Sequence, residues 1–139
     1  MTWSRHHTLV TTATPEQLWA RWTTAEYWAS DDPAVEWAAF DAPAATGVTG
    51  RVKNTGSPAQ KFRFTDVRTH ERMDFEIRLP FASLSVTHAM EVTGPGVAST
   101  HGIVIEGPLS GFYGAVLGAR LAAGLPDVVR RVVDGALTL

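Results

Sequence analysis

The chain has no cysteine among its 139 residues. That absence excludes disulfides, thiolate metal centres and thiol nucleophiles, and nothing calls for an oxidising compartment. Charge of one sign is lacking as well: a formal net charge of −2 supplies neither a basic field for nucleic acid nor an acidic tail. Where a secretory leader needs an apolar run the N-terminus carries Arg5, His6 and His7, and the later apolar segments are broken by Gly, Arg and Pro, so neither a signal peptide nor a spanning helix is expected. A glycine-rich phosphate loop, a P-loop lysine and a Ser-His-Asp nucleophile arrangement are all missing, which argues against ATP and NAD chemistry. We therefore expect a soluble cytoplasmic protein with no cofactor, no nucleic-acid partner and no membrane insertion.

What is there is strand patterning built around two histidines. Between Ala82 and Glu106, Leu84, Val86, His88, Met90 and Val92 alternate with Ser83, Ser85, Thr87, Ala89 and Glu91, the period of a strand with one buried face. Thr93-Gly94-Pro95-Gly96 reads as a turn, and counting back from it sets Val92 opposite Val97 and His88 opposite His101. Facing residues of an antiparallel pair share a side, with Cβ atoms about 5 Å apart, so both imidazoles are expected to point inward, on the same side as Ile103.

The preceding chain gives that face neighbours. Ser4 to Thr12 has strand character, and Thr14-Pro15-Glu16-Gln17 is a capping box with proline at the first helical position. Leu18, Trp19 and Trp22 form the apolar stripe of this helix and are read as core; a second short helix from Ala25 to Trp28 ends near Asp31-Asp32-Pro33, whose two carboxylates are read as a solvated loop or cap. Strands are expected at Val35 to Asp41 and Arg51 to Asn54. Taking Arg68 to Glu71 as a turn pairs Phe64 with Phe75 and Phe62 with Ile77, and a turn at Pro80-Phe81 pairs Ile77 with Leu84 and Met73 with His88. Two separate loop counts thus put His88 on one apolar face. From Pro108 onward, Leu109, Phe112, Tyr113, Val116, Leu117, Leu121, Leu125, Val128, Val129, Val132 and Val133 recur at three- and four-residue steps as one broad stripe. Pro126 predicts a kink or interruption, and Gly111, Gly114, Gly118 and Gly124 predict packing against something that leaves little room.

This order predicts a single α+β domain over residues 1–139: a curved antiparallel sheet of about six to seven strands, two short helices, and one long C-terminal helix covering the sheet over a cavity. A small hydrophobic molecule is the expected partner. His88 and His101 are the candidate acid and base; the alternative is that they only hold a ligand, water or each other. The expected cavity wall comprises His7, Phe62, Phe64, Met73, Phe75, Ile77, Val86, Met90, Ile103, Phe112 and Val116, the aromatic members being divided between core and wall. An inward His7 raises the question of a three-histidine zinc site, but no short-range ligand motif supports one and no metal is expected. Asp66 falls at the inward end of its strand or at its rim, while His6 and His70 are read as solvated.

Several of these segments resemble one superfamily. Thr11-Thr12-Ala13-Thr14-Pro15-Glu16-Gln17-Leu18-Trp19, Gly47 and Gly50, Phe64-Thr65-Asp66-Val67, Thr100-His101, and Gly107-Pro108-Leu109 opening a final helix with Gly124-Leu125-Pro126 look like the START/Bet v 1-like (SRPBCC) superfamily, particularly its polyketide cyclase/dehydrase-like branch. The resemblance covers nearly the whole chain. It implies a helix-grip fold and a hydrophobic ligand, polyketide-like or polycyclic, with cofactor-free cyclisation, dehydration or isomerisation as the expected activity and a non-catalytic carrier as the alternative. A fold alone does not choose between them.

Overall fold

The computed structural model describes residues 1–139. Strand β1 (Thr2–Thr11) leads into helices α1 (Pro15–Thr23) and α2 (Ala25–Asp31). Six strands follow, β2 (Val35–Phe40), β3 (Thr49–Asn54), β4 (Gln60–Arg68), β5 (Arg72–Leu79), β6 (Ala82–Val92) and β7 (Val97–Glu106), and the long helix α3 (Ser110–Ala136) closes the chain. All seven strands form one antiparallel sheet in the order β1-β7-β6-β5-β4-β3-β2. Short turns make neighbours of β2 to β7, and β1 returns to pair with β7.

Local chemistry sets the helix start as expected. The Thr14 hydroxyl accepts from the Gln17 amide at 3.1 Å, and the Gln17 side chain accepts from the Thr14 amide at 2.9 Å. Such a cap contributes about 1 kcal/mol. Helix α3 lies over the sheet on Leu125, Val129, Val132, Val133 and Ala136, a stripe at helical spacing that packs against β1, β7 and α1. Each of the leucine and valine side chains, fully buried, contributes roughly 1.5–3 kcal/mol.

The register carries the site. Val92 pairs with Val97 and His88 with His101. On the other side Phe64 pairs with Phe75, although the turn is not the four residues expected: Arg68 pairs with Arg72, and a bulge between Phe64 and Asp66 absorbs the difference. Two deviations cancel, so the aromatic faces still meet. Between β5 and β6 the ladder is interrupted. Arg72–Ala89 and Phe75–Val86 are paired, but between them the Asp74 carboxylate reaches into the gap and accepts the His88 amide at 3.1 Å.

Helix α3 departs from expectation in its first half. Phe112 and Val116, expected in the cavity wall, are 59% and 54% exposed. Gly114 and Gly118, at the ends of a π-helical stretch, take the sheet-facing positions here, and Phe112 and Val116, two residues from them, fall on the far side of the helix. The Trp3 indole fills the place where a Cβ on Gly114 or Gly118 would stand, which is the close packing that the glycines predicted; Gly111 and Gly124 face open space. Pro126 sits inside the uninterrupted stretch Ala119–Ala136, on the solvent side, where water is at hand for the carbonyl it releases. Nor do Gly, Arg and Pro divide this segment. It is long and apolar enough to cross a bilayer, with mean hydropathy 1.2 in its most apolar window, and in this fold it is the helix that covers the sheet.

Candidate functional site

The curved sheet stands off from α2 and the C-terminal half of α3 and leaves a cavity of about 140 Å³. His88, His101, Phe75, Ile77, Val86 and Ile103 line it from the sheet. Phe62 and Phe64 do not reach it. They are sealed in an aromatic cluster, with Phe64 5.3 Å from Phe62 and 5.1 Å from Phe40, which fills the space beside the cavity. Met73 is fully buried outside the lining, next to the His88 side chain that its carbonyl holds, and Met90 is likewise packed in the core. His7 is half-buried opposite His101 on β1, beyond the cavity wall.

Three histidines therefore stand in a row across β6, β7 and β1, and the row does not make a metal centre. Neighbouring strands are about 4.8 Å apart, which separates His88 from His7 by about 10 Å, too far for one ion with bonds of about 2 Å. No group of three histidines or carboxylates converges to hold a metal ion.

The two inward imidazoles are 4.5 Å apart by ring centroid and meet edge to face. His88 Nδ1 donates to the Met73 carbonyl at 2.7 Å, since the carbonyl can only accept. That bond fixes the tautomer and leaves the lone pair on Nε2. Burial lowers the His88 pKa to about 4, although the Met73 bond works the other way. His101 is held well below its ordinary value by burial, then by its neighbours His88 and His7. Trp22 closes over both rings, at 5.5 Å from His88 and 6.0 Å from His101. Two buried polar atoms here, Trp22 Nε1 and His101 Nε2, have no partner in the protein. Each such atom costs about 1–3 kcal/mol unless something bonds to it.

The helical side of the cavity is charged, and sequence patterning did not reveal this. Arg21 grips Asp31 with Nε at 3.1 and 2.9 Å and a terminal nitrogen at 2.7 Å, and its guanidinium lies 3.9 Å above the Tyr27 ring. Gly135 on α3 leaves the guanidinium its space, because a Cβ there would strike it. Asp31 is 4% exposed, and both it and Asp32 line the cavity, so the expectation of a solvated loop is corrected. Both carboxyls are pushed up by burial, against the pull of Arg21 on Asp31 and of the Ala34 amide on Asp32. The reason is tertiary: α3 roofs the end of α2 and keeps water off it. Trp22 and Trp28, read as helix-stripe or helix-end residues, also line the cavity, as do Leu121, Leu125, Val128 and Val132. The last four were legible as one helical stripe. Asp66 stays at the rim, half-exposed and bonded to Arg68.

No family model matches the chain, and no curated protein matches it in sequence. Solved structures do. Norcoclaurine synthase from Thalictrum flavum is similar with a TM-score of 0.72 over 99% of this chain and 87% of its own, at 13% identity. Protein MLL2253 from Mesorhizobium loti gives 0.69 over 96% of both chains at 13% identity, and Ara h 8.0201 gives 0.71 over 100% of both at 10%. At these identities the likeness is one of backbone and says nothing of the cavity side chains. With seven antiparallel strands, two short helices and a long C-terminal helix in this order, the chain has the Bet v 1-like helix-grip fold.

Proposed function

We propose that the protein binds a small, largely apolar molecule of about one ring in the cavity under α3, with a hydroxyl on that molecule resting against His88. The observation that carries this reading is the His88 ring: Nδ1 is committed to Met73, so Nε2 presents a lone pair, beside the unpartnered Trp22 Nε1 and His101 Nε2. A hydroxyl suits this set because it donates to one nitrogen and accepts from the indole N–H. The volume, about 140 Å³, is comparable to an engineered cavity of about 150 Å³ that takes benzene. It favours a single ring over the polycyclic ligand that the family resemblance implied; a monocyclic polyketide-like phenol is of the right size.

Acting on such a ligand is the second reading. The fixed tautomer favours it, since a lone pair held in place accepts a proton from an acidic carbon or hydroxyl, and cyclisation, dehydration or isomerisation need no cofactor for that. Against it, a conjugate acid near 4 makes a weak base at neutral pH. Binding, as a cytoplasmic carrier or sensor, is therefore placed first.

The test is calorimetry with 4-methylphenol against toluene. His88→Asn keeps a donor for the Met73 carbonyl and removes the ring Nε2 with its lone pair, the amide oxygen standing closer to the backbone. The parent is expected to bind 4-methylphenol about tenfold tighter than toluene, in line with about 1 kcal/mol for one hydrogen bond, and the variant is expected to lose that preference. Failure of 4-methylphenol to bind, or a preference untouched by the variant, overturns the reading. If the protein is a catalyst, His88→Ala is expected to cost about two to four orders of magnitude in turnover.

A further inference from the structure

The helical wall carries a charge that the hydroxyl contact leaves unused. Arg21 is committed to Asp31 by three contacts between 2.7 and 3.1 Å. Asp32 lines the same cavity without such a partner. Its Oδ1 accepts the Ala34 amide at 2.9 Å, and its Oδ2 has neither a hydrogen bond nor an ion pair in the protein. The α3 cation that bears on it, Arg131, is itself tied to Asp127 at 2.7 Å. Asp32 is thus the carboxylate of this wall with no cation in direct contact, Arg130 and Arg131 both being bonded to Asp127.

A second observation independently marks the cavity as a ligand site. Trp22 and His101, 2% and 3% exposed, both line it, and each has a polar nitrogen with no protein partner. A neutral apolar guest would serve neither them nor Asp32. An anionic guest would meet the Asp32 carboxylate directly, while Arg21 is already bonded to Asp31 and Arg131 to Asp127. Trp28, one helical turn before Asp32 and on the same cavity wall, adds an aromatic surface beside which a cation is stable.

We propose that the ligand is a small aromatic amine, its hydroxyl end held by the imidazoles on the sheet and its ammonium held by Asp32 on the helical wall. This rests on the binding mode proposed above and adds to it the charge of the ligand and the residue that selects for it. Asp32 is then a specificity residue, and Asp31 only balances Arg21.

The experiment compares 4-methylphenol, 4-hydroxybenzylamine and 4-hydroxybenzoate, alike at the phenol end and neutral, cationic or anionic at the other. Affinities are measured at neutral pH for the parent and for Asp32→Asn, which keeps an oxygen for the Ala34 amide. In the parent the amine is expected to bind about ten- to a hundredfold tighter than 4-methylphenol, the range for a charge-assisted hydrogen bond, and the benzoate more weakly than either. Asp32→Asn is expected to abolish the advantage of the amine over 4-methylphenol. If 4-methylphenol binds and the amine binds no tighter, or if the advantage survives in Asp32→Asn, the inference fails while the binding mode stands. If no compound binds the folded protein, both fail.

Discussion

The sheet wall and the helical wall of one cavity keep titratable groups from water by opposite means. On the sheet, His88 and His101 stay neutral: desolvation lowers both, and His88 reaches about 4. On the helices, Asp31 keeps a partner in Arg21, yet its carboxyl still lies above the usual carboxylate range because burial outweighs the pairing. The difference follows from reference chemistry. An imidazole with an ordinary pKa near 6.5 sheds its charge at neutral pH at little cost, whereas a carboxylate near 3.9 needs a cation to enter the same surroundings. The sheet wall is accordingly built for a neutral polar group and the helical wall for charge.

Removing the partner on the helical wall is expected to produce the largest effect. Arg21→Met keeps an apolar stem under Tyr27 and leaves the Asp31 carboxylate buried and unpaired, a change expected to cost about 3–5 kcal/mol in urea denaturation. Asp31→Asn in the same background should recover part of that loss, and no recovery would mean that Arg21 acts through packing.

Acid separates the two walls next. A histidine whose folded pKa lies below its unfolded value binds fewer protons when folded, so its contribution is fully present above about 6.5 and is lost as pH falls toward 4, to about 3 kcal/mol for His88. His101 acts in the same direction. Raised carboxyls have the opposite sign: Asp31, Asp32 and Asp74 take up protons more readily when folded, which offsets part of the loss at the acid end. Stability measured from pH 7 to 4 should therefore fall, and His88→Asn should shrink the fall by removing the share of that ring. A profile unchanged by the variant would place the acid sensitivity elsewhere.

The same contrast explains what the sequence made legible. The sheet wall was readable because period and turn length are local: Thr93-Gly94-Pro95-Gly96 set His88 against His101, and the structure has that pair. Pairing of Phe64 with Phe75 was right through two compensating features, a shorter turn and a bulge, neither of which alternation reveals. The helical wall was not readable. Asp31 and Asp32 precede a proline and look solvated until α3, which begins at Ser110, is laid over them, and Phe112 and Val116 turn outward because glycines take the sheet-facing positions against Trp3, which a search for apolar residues passes over. Side-chain burial imposed by distant chain is the part that pattern cannot carry.

Asp74 tests how the sheet wall is held. Its carboxylate bonds the His88 amide at 3.1 Å and Arg72 at 2.8 Å, filling the gap in the β5–β6 ladder. Asp74→Ala leaves the His88 amide without an acceptor and should cost about 1–3 kcal/mol, while Asp74→Asn, which keeps an oxygen there, should cost less. The smallest effect concerns independence. The His88 ring bonds only Met73 and its amide only Asp74, and the Asp32 carboxylate bonds only the Ala34 amide, so the two side chains share no hydrogen bond or ion pair. The stability changes of His88→Asn and Asp32→Asn should therefore add to within about 0.5 kcal/mol in the double variant without ligand. With 4-hydroxybenzylamine bound the two substitutions should become coupled, because the ligand then joins the walls. Additivity that survives saturation with the amine would show that no molecule spans them.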